Sequence, residues 1–236
     1  MNPLLDAQNE MLRLHESANL PSNCRGARAS RVNPFGALFV TEARGHYMGN
    51  RGGRIHVNSY SLGNRRYISS RWICCCLEFK GRRRRVWSDS YTELFFLDEP
   101  TALAAGHRPC FECRRRDASD FAERWRRSQR LNMRPRAAEM DKRLHAERLD
   151  GRYQRRHAAP FTGLPDGTFV VVEGRACAVR GKALLHWTPA GYATWRPRPG
   201  NGMAELLTPP AIVAVLAAGY SPRWHPSCVE DAGERR

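Results

Sequence analysis

The chain has 236 residues, 42% hydrophobic and 9% aromatic, a composition that supports a packed core and excludes wholesale disorder. No apolar run reaches the length of a membrane span, and the first residues, "MNPLLDAQNEMLRLHES", lack the basic start and long apolar stretch of a secretory signal. The formal net charge of +16 favours polyanionic partners, nucleic acid above all.

Only three of the 39 basic residues are lysines (Lys80, Lys142 and Lys182). The arginine excess partly reflects base composition, yet the guanidinium fork is well suited to phosphate. Eight cysteines are present. In a soluble cytoplasmic protein they stay reduced, which leaves metal binding as the main functional alternative to plain packing.

Taken in chain order, residues 1–30 read as an amphipathic helix (Leu4, Leu5, Met11, Leu12, Leu14) and a loop. "ALFV" (37–40) is a short strand, and "RGHYMGNRGGRIH" (44–56) is a turn-rich glycine loop. Its glycines would let backbone amides approach an anion, with Arg44, Arg51 and Arg54 neutralising it and His46 or His56 as acid–base groups or ligands. A pair of glycine-rich hairpins is the plainer reading. "RRYISSRWICCCLEF" (65–79) reads as one or two strands, "KGRRRRVWS" (80–88) as a basic turn, and "YTELFFL" (91–97) as another strand.

"DEPTALAAG" (98–106) has the signals of a short helix: acids and Pro100 at its start, Gly106 at its end, Pro109 beyond. Helices follow over 114–131, with Phe121 and Trp125 on one face, and over 137–149, with Met140 and Leu144 inward. "GRYQRRHAAP" (151–160) reads as a linker. Beyond it, glycine turns near Gly167, Gly174 and Gly181 suggest a small antiparallel unit, closed by a helix in "TPPAIVAVLAAG" (208–219). "LAAGHRP" (103–109) and "LAAGYSP" (216–222) match at five of seven positions. A shared recipe for ending a helix explains the echo; a duplicated unit, with His225 and Cys228 as spaced ligands, is the alternative.

The chemistry concentrates at "HRPCFEC". A Cys-x-x-Cys bend sets two thiolates on one side, at a separation that suits a single zinc ion. A helix N-terminus and the arginines around it (Arg108, Arg114, Arg115, Arg116) favour the ionised form. A redox pair is the weaker reading, because no βαβ context precedes the motif. Some 35 residues upstream stands "ICCCLEF". On a strand, Cys75 points to one face and Cys74 and Cys76 to the other. Either Cys75 alone or one or both of the outer two can therefore meet Cys110 and Cys113, and all three can also be small core residues. His56 is a further candidate ligand.

The run "FFLDEPTALAAGHRPCFECRRRD" resembles the Ada-type metal-binding domain, over roughly residues 70–116. Gly106, Arg108, Pro109, Cys110 and Cys113 match its core. His107 stands where that family has an aromatic residue, and the upstream cysteines depart from it: three in a row here, against two separated by three residues. The resemblance implies a zinc module beside DNA. It assigns no methyl-accepting cysteine to this chain.

"KGRRRRVW" (80–87) places Arg82, Arg83, Arg84 and Arg85 on a turn, where they can clamp phosphates; Arg51, Arg54, Arg108 and Arg114 extend the expected contact set. Glu93, Asp98 and Glu99 with His56 could form a magnesium site, although helix capping explains such acids more simply. The expectation is an α+β protein of small antiparallel β units with short helices: a helix and loop at 1–30, a zinc-knuckle module with following helices at 31–150 and a small β unit closed by a helix at 160–236. Its function would be zinc-dependent association with nucleic acid, DNA being the partner the resemblance implies. The alternatives are an enzyme acting on nucleic acid, by nuclease or cysteine-based repair chemistry, and a protein-interaction module with structural zinc.

Overall fold

A computed structural model describes residues 28–82, 86–87 and 90–228. The amphipathic start, Cys24 and Arg83 to Arg85 lie outside the described residues. The fold is mixed α+β. Six strands, β1 (Arg31–Val32), β2 (Leu38–Phe39), β3 (Tyr47–Arg51), β4 (Trp72–Cys76), β5 (Leu94–Phe96) and β6 (Arg108–Pro109), form a first sheet in the order β2-β1-β5-β3-β4-β6. β1 runs parallel to β5, and β6 parallel to β4; the other pairings are antiparallel.

Three helices sit around and after β6: α1 (Glu99–Ala104), α2 (Arg115–Ser128) and α3 (Ala137–Arg148). A ribbon of β7 (Leu149–Asp150) and β8 (Tyr153–Gln154) follows. The second sheet is antiparallel throughout. It comprises β9 (His157–Pro160), β10 (Phe169–Val172), β11 (Arg175–Arg180), β12 (Ala183–Thr188), β13 (Gly191–Pro197) and β14 (Met203–Leu206), in the order β13-β12-β11-β10-β14-β9. Helix α4 (Pro210–Ala217) completes the described elements.

The stretch 151–160, read as a linker, instead carries β8 and β9. The run 65–79 yields one strand, β4, because residues 65–71 bend rather than extend. Between β10 and β11, Glu173 and Gly174 both adopt positive φ (51° and 73°), the two-residue turn whose twist suits a hairpin. Asp166–Gly167 makes no hairpin: it precedes β10, and the Gly167 amide donates to the Val179 carbonyl.

α1 is the hinge of the packing. All six of its residues are buried, Glu99 and Thr101 included. Ala102 joins the core of the first sheet with Val32, Leu94 and Phe96. Ala104 joins the second sheet's core with Phe169, Leu185 and Leu207. Leu103 joins a helical core of Phe121, Trp125, Met140, Leu144, Ile212 and Val215. Small alanines let three cores close on one short helix.

Both echoed segments end a helix in the same way. The His107 amide donates to the Ala102 carbonyl, and Tyr220 to Val215, each five residues back across a glycine at positive φ. A Cβ on Gly106 would lie 2.6 Å from Arg148, and one on Gly219 2.6 Å from Arg124. The shared recipe is therefore a close approach as well as a left-handed turn.

Buried charge ties the elements together. Arg108 makes a two-pronged bond to Asp141 of α3, with both contacts at 2.8 Å. Trp72 lies between two interior guanidinium groups, Arg51 at 4.1 Å and Arg148 at 3.9 Å from the ring. His107 packs its ring on Trp72 and Phe96, with neither ring nitrogen hydrogen-bonded to protein. Burial, then the charges of Arg51 and Arg148, hold its pKa well below the usual 6.5.

Two outcomes follow. Asp141→Ala leaves Arg108 as an uncompensated buried cation and should cost about 3–5 kcal/mol in urea unfolding. His107 stays neutral when folded and takes up a proton when unfolded. Its contribution is therefore present above pH 6.5 and lost as pH falls below it, by up to about 1.4 kcal/mol per pH unit. The acid slope of the urea midpoint should be shallower in His107→Phe than in the parent.

Candidate metal centre

The parallel pairing of β4 and β6 brings the two cysteine motifs together. Ile73 and Cys74 lie opposite Arg108 and Pro109, and the Cys110 amide donates to the Cys74 carbonyl at 2.9 Å. The chain then leaves the sheet. A bend over residues 111–114 closes with the Arg114 amide on the Cys110 carbonyl at 3.0 Å, and α2 begins.

Strand alternation selects one cysteine of the triplet. Cys75 faces the bend, and its thiol, Cys110 and Cys113 all lie within 4.8 Å of one another. Tetrahedral zinc–thiolate bonds of about 2.3 Å hold sulfurs about 3.8 Å apart, so the cluster has the size of a metal site. Among the described residues, no other three His, Cys, Asp or Glu side chains converge in this way. Met48, Ile73, Tyr91 and Phe95 pack around the sulfurs.

The three sulfurs shift one another's pKa. Hydrogen bonding from Cys113, then from Cys75, lowers the pKa of Cys110, helped by the Cys113 and Glu112 amides. The same contacts raise the other two: Cys110 acts first on both Cys75 and Cys113, and burial adds to it. Three soft sulfur donors suit zinc and other thiophilic ions better than magnesium or calcium, and binding of such an ion must displace the remaining protons.

The other candidate ligands lie elsewhere. Cys74 is fully buried in the core of the first sheet, where burial, above all, pushes its thiol pKa up; Arg114 Nη1 sits 3.3 Å from its sulfur. Cys76 directs its sulfur at the Cys113 carbonyl, at 3.7 Å. His56 stacks on Trp87 with ring centres 5.4 Å apart, and its Nδ1 is 2.7 Å from Thr92 Oγ1. None of the three joins the cluster. His225 bonds Ser227 through Nδ1 and faces His46, while Cys228 packs against the second sheet's core.

The arginines expected at phosphate divide in two. Arg51, Arg108 and Arg114 are interior, which corrects their reading as surface groups. Arg51 donates to the Gly36 carbonyl, Arg108 holds Asp141, and Arg114 holds Glu99 at 2.7 Å and Asp117 at 2.7 Å. Arg54 donates to the His56 and Val57 carbonyls. Arg82 remains near the surface and pairs with Glu112, inside the cysteine bend, at 2.7 Å. The run that starts at Arg82 therefore starts beside the cluster.

The glycine loop does not form an anion cradle. A Cβ on Gly45 would sit 2.0 Å from the Phe96 carbonyl oxygen, and one on Gly49 2.0 Å from that of Ile73. These glycines let neighbouring backbone pass close. The acids considered for magnesium have structural partners as well. Glu93 accepts from the Trp87 amide, Asp98 caps α1, and Glu99 accepts from Tyr220 and the Arg223 amide.

No protein-family model matches the chain, and no curated protein or solved structure matches it.

Substitution should separate the cluster from its neighbours. Cys75→Ser, Cys110→Ser and Cys113→Ser should each lower metal retained after purification by at least about tenfold, whereas Cys74→Ala should retain it, as read by elemental analysis. Apparent affinity in a chelator competition should rise with pH, because ligand protons leave on binding.

Proposed function

We propose that the chain is a zinc–thiolate protein that associates with nucleic acid, DNA in the first instance. The convergence of Cys75, Cys110 and Cys113 within 4.8 Å carries this reading. Soft sulfur donors, hydrogen-bonding amides and a helix start beside the bend fit zinc. The resemblance of "GHRPCFEC" to the Ada-type domain favours the same ion. Cys75 of β4 and Cys110 and Cys113 of the bend would hold the ion, which would tie the first sheet to α2 and take its fourth ligand from outside this trio. Reduced thiols of this kind suit the cytoplasm.

The nucleic-acid half rests on charge. The net charge of +16 favours a polyanionic partner, and the basic run from Arg82 to Arg85 begins at a residue paired with Glu112 of the bend. Arginine–phosphate contacts are blind to base sequence, so binding through this run would carry no sequence preference.

Elemental analysis of the purified chain should find about one zinc per molecule, and chelation should lower its thermal midpoint. A metal-free chain with an unchanged melt would overturn the zinc reading. Duplex DNA should bind with an affinity that falls steeply with salt. Replacing Arg82, Arg83, Arg84 and Arg85 with glutamine should reduce the log–log salt slope by about 0.9 for each phosphate interaction removed.

A further inference from the structure

We infer that a basic cleft at the edge of the second sheet holds single-stranded nucleic acid, an assignment that rests on the nucleic-acid reading above. The cleft has a volume of about 560 Å³ and is lined by Arg180, Gly181, Lys182, Trp195 and Arg196, among others. A smaller hollow shares Arg196 and adds Arg175 and His186. None of these residues belongs to the cysteine centre or to the run from Arg82.

The sheet explains how they meet. Arg180 ends β11, and Lys182 lies in the two-residue turn that leads to β12. β13 is an edge strand, paired only with β12, and its register sets Trp195 opposite Leu185 and Arg196 opposite Leu184. Consecutive strand residues face opposite ways: Trp195 lies on the Leu185 face and Arg196 on the Leu184 face, and the cleft, at the sheet's edge, is lined by both. Two acids lie near. Glu173 bonds Arg196 at 3.0 Å and Asp166 lies 3.6 Å from Arg180. The Arg196 pair is solvent-exposed and worth at most about 1 kcal/mol, whereas Arg180 is half-buried over Trp224; the basic character of the cleft rests on Lys182 and Arg196, with Arg175 beside them.

The chemistry selects the partner. Cations alone would serve any polyanion. Trp195 adds a ring held against the core of the second sheet and still lining the cleft. A held indole beside phosphate-binding cations is the combination that grips unpaired bases, since stacking needs an exposed base face and costs little when the ring is already ordered. In a duplex those faces are covered. An acidic peptide offers charge but no row of flat rings.

The test is anisotropy titration of the full chain with fluorescein-labelled oligothymidylate, and separately with a labelled duplex, over a salt series. The parent should prefer the single strand. Lys182→Gln/Arg196→Gln, which alters exposed side chains, should weaken single-strand binding about tenfold and flatten the salt slope by about 1.4, two phosphate interactions at 0.7 each. Trp195→Ala should weaken it about tenfold with the slope unchanged, and Trp195→Phe should restore most of the affinity. Circular dichroism melts establish that each variant is folded. Parent-like binding by the double variant would overturn the cleft assignment, as would a duplex preference untouched by Trp195→Ala. Loss of binding only on replacing Arg82 to Arg85 would overturn the cleft and leave nucleic-acid association standing. A parent chain that binds neither probe at low salt would overturn the nucleic-acid reading itself.

Discussion

Two fully buried carboxylates at the start of α1 hold this molecule together. Asp98 accepts from the Thr101 amide and hydroxyl, the Tyr192 hydroxyl and the His225 amide. Glu99 accepts from Tyr220 and the Arg223 amide and pairs with Arg114. The donors come from α1 itself, the second sheet, the segment after α4 and the start of α2. A buried charge is tolerable only when its oxygens are satisfied, so these acids constrain four separate pieces of chain to meet at one helix end. The helix they cap can then be short and made of small residues, because it is held from all sides.

The cysteine centre inherits its geometry from that arrangement. Arg114 follows Cys113 directly; its guanidinium reaches Glu99 and Asp117 while approaching the Cys74 sulfur. The loop is therefore anchored from beneath. On the other side, the bond from the Cys110 amide to Cys74 fixes how far the loop stands from β4. Three thiols converge because a parallel pairing only two residues long sets the register of a bend against a strand. Their mutual effect on one another's pKa is a consequence of that closeness.

Arginine plays two distinct parts. Arg51, Arg108, Arg114 and Arg148 are structural, stacked on Trp72 or bonded to acids and carbonyls in the interior. Arg175, Arg180, Lys182 and Arg196 lie around hollows on the second sheet. A count of basic residues treats the two groups alike. The physical difference lies in what surrounds each guanidinium: an interior one is enclosed by rings, carbonyls or acids, with Arg51 Nε and Arg148 Nε left without a hydrogen bond among the described residues, while a surface one such as Arg196 pairs with an exposed acid.

Local chemistry made much of this legible in the sequence. The helix over 99–104 follows from Asp98, Pro100 and Gly106. The bend at Cys110–Cys113 follows from spacing, and the partition of the cysteine triplet between two faces from the two-residue period of a strand. Those features depend on neighbours a few residues away. What local patterns could not decide was which face of β4 meets the bend. Cys75 rather than Cys74 and Cys76 was settled by the parallel pairing with β6, a contact between segments more than thirty residues apart. In the same way, the burial of Arg51, Arg108 and Arg114 depended on Trp72, Asp141 and Glu99. The sequence does not mark β13, whose alternation is interrupted by glycine, arginine and proline, or β14, which is only four residues long; pairing with β12 orders the first, and pairing with β10 and β9 the second. Sequence alone determined the turns, the helix ends and the candidate ligands; the tertiary structure decided which thiols converge and which charges face water, because both depend on the non-local packing of sheets and helices around α1.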